Sequence, residues 1–103
     1  MASNTAFRPH YGTNKVVAPA VASATTTIDP VDKSVMVVNS GAAIGYFRTG
    51  KVADGAVVAT TADCPVANGT YLTIEKPDGH DTIAYISATG TTFQIITGEG
   101  GVN

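Results

Sequence analysis

The sequence predicts an all-β fold: a small antiparallel β-sandwich or jelly-roll-like body of about eight short strands, preceded by an extended N-terminal arm. Three observations lead there. Hydrophobic residues make up 44% of the chain, carried by Ala, Val and Ile with no Trp, and β-branched side chains favour a pleated surface. Gly, Pro, Asn-Gly or Asp-Gly breaks the chain roughly every eight to twelve residues, which leaves no window long enough for a stable helix. Alternation supplies the third: Leu72 and Ile74 share one side of their run with Thr73 and Glu75 opposite, and Phe93 and Ile95 oppose Gln94 and Ile96.

The clearest strand runs are Ser34 to Asn39, Ile44 to Thr49, Tyr71 to Glu75, Thr82 to Ser87 and Thr91 to Thr97, each β-branched or aromatic. Val16 to Ala18, Val21 to Ile28 and Ala56 to Thr61 are Ala- or Thr-rich and suit edge or solvent-facing strands. Ser40-Gly41 and Thr89-Gly90 sit between runs at hairpin-like distances, and Asp78-Gly79 offers the positive φ of a tight turn. Consecutive strands are therefore expected to pair antiparallel. Jelly-roll and immunoglobulin-like connectivities both fit, and a small closed barrel less well. Pro65 and Pro77 fall beside run ends, where a missing donor costs little.

At 103 residues the chain fits one domain, and such a chain buries roughly 65% of its extended surface. Residues 15 to 97 form the sandwich. Residues 1 to 14, with Phe7, Pro9 and Tyr11 among Asn, Thr and Gly, read as an extended arm, and residues 98 to 103 as a flexible glycine-rich tail. The arm either folds back over its own sandwich or drapes over a neighbouring subunit.

Only 14% of residues are charged, with six Lys and Arg against eight Asp and Glu and a net charge of −2. That balance gives no field to draw in a phosphate backbone, so no nucleic-acid partner is expected. A surface so poor in charge suits contact with protein. The N-terminus lacks an apolar stretch behind a basic start, and no segment approaches the ~20 apolar residues of a membrane span, so neither a signal peptide nor a membrane is expected. Cys64 stands alone and reads as a small packed hydrophobe.

No catalytic, cofactor-binding or metal-binding set emerges. Asp78-Gly79-His80-Asp81 is the densest polar cluster, which Asp63 or Cys64 could complete as ligands, but its spacing matches no standard metal motif and it reads as a hydrated turn. His10 and His80 lack an evident nucleophile to activate, Ser34 and Ser87 lie in strands without a nucleophile elbow, and Gly98-Glu99-Gly100-Gly101 lacks the Lys-Ser/Thr of a phosphate loop. The Thr-rich stretches Ala24 to Thr27 and Ala59 to Ala62 read as exposed strand threonines. Arg48 and Lys51, flanking Thr49-Gly50, form a compact basic spot able to meet a partner's carboxylate. The candidate partner contacts are Phe7, Arg8 and Tyr11 on the arm, with Arg48 and Lys51 on the body.

Met36-Val37-Val38-Asn39-Ser40-Gly41, Gly45-Tyr46-Phe47-Arg48-Thr49-Gly50, Thr60-Thr61-Ala62-Asp63-Cys64-Pro65-Val66, Ile83-Ala84-Tyr85-Ile86-Ser87-Ala88 and Ile96-Thr97-Gly98-Glu99-Gly100-Gly101 together carry a resemblance. Over residues 35 to 101 the chain resembles small β-sandwich structural proteins of tailed-bacteriophage virions. The resemblance implies a capsid decoration, or cement, protein made in the host cytoplasm. It would bind the major capsid protein on the outside of the head, commonly as a homotrimer. A fibre, spike or tail component, or an adsorption module for a receptor or carbohydrate, is the alternative it leaves open.

Overall fold

The computed structural model describes residues 6–100 and is all-β, built as two packed antiparallel sheets. The strands are β1 (Arg8–Pro9), β2 (Lys15–Val17), β3 (Ala24–Thr27), β4 (Ser34–Asn39), β5 (Gly45–Gly50), β6 (Cys64–Val66), β7 (Tyr71–Glu75), β8 (Thr82–Ile86) and β9 (Phe93–Glu99), with one 3-10 turn at Val52–Asp54. The first sheet runs β1-β9-β4-β7, with β2 also on β9 beyond β1; the second runs β3-β8-β5-β6. Among the described residues no helix is long and apolar enough to cross a membrane.

The pairings are nested. β2 pairs with β9, β3 with β8, β4 with β7 and β5 with β6, while β4–β9 and β5–β8 complete the sheets. This is one long hairpin rolled up on itself, the connectivity of a jelly roll. The pairs are antiparallel as expected, but the expectation that consecutive strands pair holds only at β5–β6 and is overturned elsewhere in the described fold. Ser40-Gly41 and Thr89-Gly90 do not close hairpins; each lies in a link of five or six residues that carries the chain from one sheet to the other, long enough to cross the ~10 Å between packed sheets. Asp78-Gly79 makes the expected tight turn, with Gly79 at φ 78°, and it too crosses between sheets.

Register sets the faces. Val35 and Val37 stand opposite Ile74 and Leu72 on one side and Thr97 and Ile95 on the other, so these side chains share the inner face of the first sheet. Phe47, Ile83 and Tyr85 do the same from the second. With Ile28, Val66 and Phe93 they form the core, against which Val17, Cys64, Leu72 and Ile74 pack. Phe47 and Phe93 are fully enclosed, and each such ring stabilises the fold by about 2–3 kcal/mol relative to exposure.

Several boundaries differ from the sequence expectation. Ala56 to Thr61 is not a strand. Its link folds over the outside of the second sheet: Val57 packs on Gly50, Arg48 Nη1 donates to the Val58 carbonyl at 3.5 Å, and the Ala59 amide donates to Ser23 Oγ at 2.9 Å. A strand forms instead at Cys64–Val66, where Pro65 is tolerated because β6 is an edge. Val21 to Ile28 narrows to β3. The tail expected from Gly98 is strand through Glu99: a side chain at Gly98 would strike the Arg8 carbonyl, so this glycine serves close approach of β1, not flexibility. On that approach the arm is tied to its own subunit, Arg8 opposite Glu99 and Pro9 opposite Gly98. Residues 1–5 and 101–103 of the expected arm and tail lie outside the described residues.

At one end of the core, Asn39 is 1% exposed and uses every hydrogen-bonding valence of its side chain. Nδ2 donates to the carbonyls of Ala43 and Val66, each at 2.8 Å, while Oδ1 accepts from the Gly41 amide at 3.1 Å and from Thr91 Oγ1 at 2.7 Å. Its backbone accepts from Gly69 and donates to Thr70. Replacement by Leu, of similar volume, strands the side-chain partners in the interior. Asn39→Leu is expected to cost about 3 kcal/mol in urea unfolding, which lowers Tm by roughly 12–20 °C in a domain of this size.

Candidate functional site

The links gather at the two ends of the body, and the ends differ in chemistry. Links 18–23, 40–44, 67–70 and 87–92 form one end; links 10–14, 28–33 and 76–81 form the other with the start of link 51–63, whose later residues run back over the second sheet to Ser23. None of the chain's Lys, Arg, Asp, Glu or His residues falls in the first set, which holds only Ala, Gly, Ser, Thr, Asn, Pro, Val and Ile. The charged end carries both histidines and most of the ionisable groups.

The uncharged end is bonded into a unit. Ser40 donates to the Thr92 carbonyl at 2.9 Å, Ser87 to Ala20 at 2.9 Å and Thr91 to Pro19 at 3.1 Å, all through backbone amides. Ser87 Oγ donates to the Ile44 carbonyl at 2.8 Å, and Asn39 holds the remaining link. From this frame Val21, 74% exposed, and Ile44, 42% exposed, project into solvent. In the strand row below, Val16, Gln94, Val38 and Tyr71 lie side by side across the outer face of the first sheet, with Val16 and Tyr71 about two-thirds exposed at 65% and 64%.

At the charged end, His10, Asp29 and Asp32 bring possible ligand atoms within 4.8 Å of one another, the one such group among the described residues. Hydrogen bonds account for it. His10 Nδ1 lies 2.8 Å from Asp32 Oδ2 and 3.5 Å from Asp29 Oδ2, and since a carboxylate only accepts, Nδ1 carries the proton. Asp32 Oδ2 also accepts from Thr97 Oγ1 at 2.6 Å, and the His10 amide donates to the Thr97 carbonyl at 2.8 Å. This clasp pins the N-terminal arm to β9 and to the 28–33 link.

Beside it lies Lys76, 2% exposed. Its ammonium donates to the carbonyls of Pro30 at 3.1 Å and His80 at 3.0 Å. Burial lowers its pKa, and Asp29, Asp32 and Asp78 oppose that effect. The lysine thus staples the 28–33 and 76–81 links without touching a carboxylate. The side chains of the Asp78 to Asp81 turn go to separate partners: Asp78 pairs with Lys33 at 3.3 Å, Asp81 Oδ1 accepts from the Val52 amide at 3.1 Å, and His80 Nδ1 meets Thr49 Oγ1 at 2.8 Å.

The candidate contacts separate between the sheets. Phe7 is half-buried, Arg8 exposed and Tyr11 86% exposed along the β1 edge of the first sheet. Arg48 and Lys51 line a shallow cleft of about 260 Å3 on the second, with Thr49 and His80. Arg48 Nε lies 3.7 Å from Asp63. Cys64 packs against the core, and its thiol pKa is raised by burial and then by Asp63.

Sequence reasoning missed Asn39, Lys76 and the His10 clasp. The clasp partners stand 22 and 65 residues apart, so no local motif could reveal them. A signal for Asn39 existed in its place at the end of an apolar run, immediately before Ser40-Gly41. Comparison with protein-family models, curated proteins and solved structures finds no match for this chain.

The clasp makes arm attachment depend on pH. The hydrogen bond to Asp32 raises the His10 pKa above the ordinary 6.5, helped by the charges of Asp32 and Asp29 against partial desolvation. Its contribution is complete below 6.5 and is lost as pH climbs through the raised value. For Asp32, burial acts upward but is outweighed by the Thr97 and His10 hydrogen bonds and by the His10 and Lys76 charges, which set the carboxyl below 3.8. Its contribution is present above 3.8 and lost as pH falls through the lowered value. In NMR titration the His10 midpoint is expected above 6.5 and is expected to fall toward it in Asp32→Asn; an unmoved midpoint means the pair does not form in solution.

Proposed function

We propose that this chain is a non-enzymatic structural protein of a tailed-bacteriophage virion: a capsid decoration protein, made in the host cytoplasm, that binds the major capsid protein on the outer surface of the head as a homotrimer. The observation that carries this reading is the segregation of charge on a rigid jelly roll. One end is neutral, small-residued and internally hydrogen-bonded, the character of a surface kept for protein contact. The virion setting comes from the resemblance of residues 35 to 101 to virion β-sandwich proteins.

Binding only the assembled shell would stabilise it by mass action, about 4 kcal/mol per site at a thousandfold excess over Kd. In the trimer, the exposed Tyr11 and Arg8, with Phe7, are the proposed contacts to the neighbouring copy, and Arg48 and Lys51 those to an acidic group. Because β1 belongs to its own subunit's sheet, deletion of residues 2–12 is expected both to lower the melting transition and to dissolve the trimer.

The test is co-sedimentation with precursor and mature capsids of the phage whose genome carries this sequence. Binding to mature shells, with a rise in their disruption temperature, is expected. A chain that stays in the supernatant with both shells overturns the reading, and binding to a glycan array instead moves it to an adsorption module.

A further inference from the structure

We infer that the uncharged loop end is the surface that docks, and that its occupant is an uncharged patch on the outside of the assembled capsid, with the charged end turned to solvent. This deepens the decoration reading and rests on it. Three observations converge on this end.

The first is electrostatic matching. A partner carboxylate or ammonium pressed against links 18–23, 40–44, 67–70 and 87–92 would lose its hydration and find no opposite charge in any of them, a penalty of several kcal/mol per ion. A neutral patch meets no such penalty. The side chains on offer are methyl and hydroxyl groups, with Val21 and Ile44 as the larger apolar projections. The partner they fit is itself built of small apolar and hydroxyl groups.

The second is extent. The four links contain 21 residues, comparable to the roughly 20–30 residues that a standard protein interface takes from each side. The uncharged row of Val16, Gln94, Val38 and Tyr71, exposed at Val16 and Tyr71, continues the neutral surface down the first sheet.

The third is preorganisation. Loops usually lose entropy when a partner immobilises them. Here the links are already bonded to one another through Ser40–Thr92, Ser87–Ala20, Thr91–Pro19 and Ser87–Ile44, and through all four valences of Asn39. The ordering cost is met by folding, so a neutral surface without ion pairs can still bind.

Point charges test the orientation without disturbing the core. Ala42 and Ala88 are exposed on two of the docking links, and Ala53 is exposed on the 3-10 turn of the charged end. Ala42→Glu, Ala88→Glu and Ala53→Glu are compared by co-sedimentation with mature capsids, with thermal melting to establish that each variant is folded. The first two are expected to weaken capsid binding by at least about tenfold and the third by less than about twofold. Unaltered protein is also expected to keep its capsid affinity within about twofold when salt is raised, since the docking end itself offers no ion pair to screen.

If the unaltered chain binds no shell, the decoration reading fails and this occupant with it. If it binds and the loop-end charges leave affinity unchanged, or Ala53→Glu alone abolishes it, the reading stands and the orientation is overturned. If the loop-end charges instead dissolve an oligomer seen by sedimentation in the absence of capsids, the surface joins copies of this chain and the inference is likewise overturned.

Discussion

The arrangement of the loops depends on one amide. A core of Val and Ile with two enclosed Phe rings fixes how far apart the sheets lie, but apolar packing has no direction and cannot dictate where the chain crosses between them. Asn39 supplies direction. Its two donors and two acceptor sites are matched by two carbonyls, an amide and a hydroxyl from the three segments around it. Only an amide side chain presents that set: Asp lacks the donors and Leu lacks both. A buried polar network is stabilising when every member is satisfied and costly when one is not. Among the described residues no buried side-chain nitrogen or oxygen lacks a partner. The neutral end is free of charge, and among its described residues no buried side-chain polar atom is left without a partner.

What the sequence made legible follows from the range of each interaction. The strand runs around Val35, Tyr46, Ile74, Ala84 and Ile95 were readable because pleat and burial impose a period of two on neighbouring residues. The inward faces of β7 and β9 followed directly. Pairing was not readable in the same way. Ser40-Gly41 and Thr89-Gly90 carry turn chemistry, but a turn that closes a hairpin and a link that crosses between sheets draw on the same residues, and only the register of distant strands separates them. Cys64–Val66 hid behind its proline, and Ala56 to Thr61 imitated a strand while lying across one.

The site was less legible still. The lack of charge was visible as a composition, yet its confinement to four links became visible only once the nested topology placed those links together. His10, Asp32 and Thr97 show the same limit: each is ordinary in its local setting, and the clasp exists because β9 returns beside the arm. Lys76 is the sharpest case. Its sequence neighbours Pro77 and Asp78 suggest a solvated turn, whereas the structure encloses its ammonium beneath the carbonyls of Pro30 and His80. Tyr11, Arg48 and Lys51, aromatic or basic and so conspicuous in the sequence, lie away from the neutral end, whose Ala, Ser and Thr carry no local mark of a shared surface.

The pairing of Arg8 with Glu99 has a practical meaning. The described chain enters and leaves the body on adjacent strands at the charged end, with the full length of the sandwich between that point and the neutral loops. Anything attached beside Arg8 or Glu99 therefore sets out from the side of the molecule opposite those loops. The fold is in this sense two-ended: what is attached beside Arg8 and Glu99 leaves the loops of the other end unobstructed.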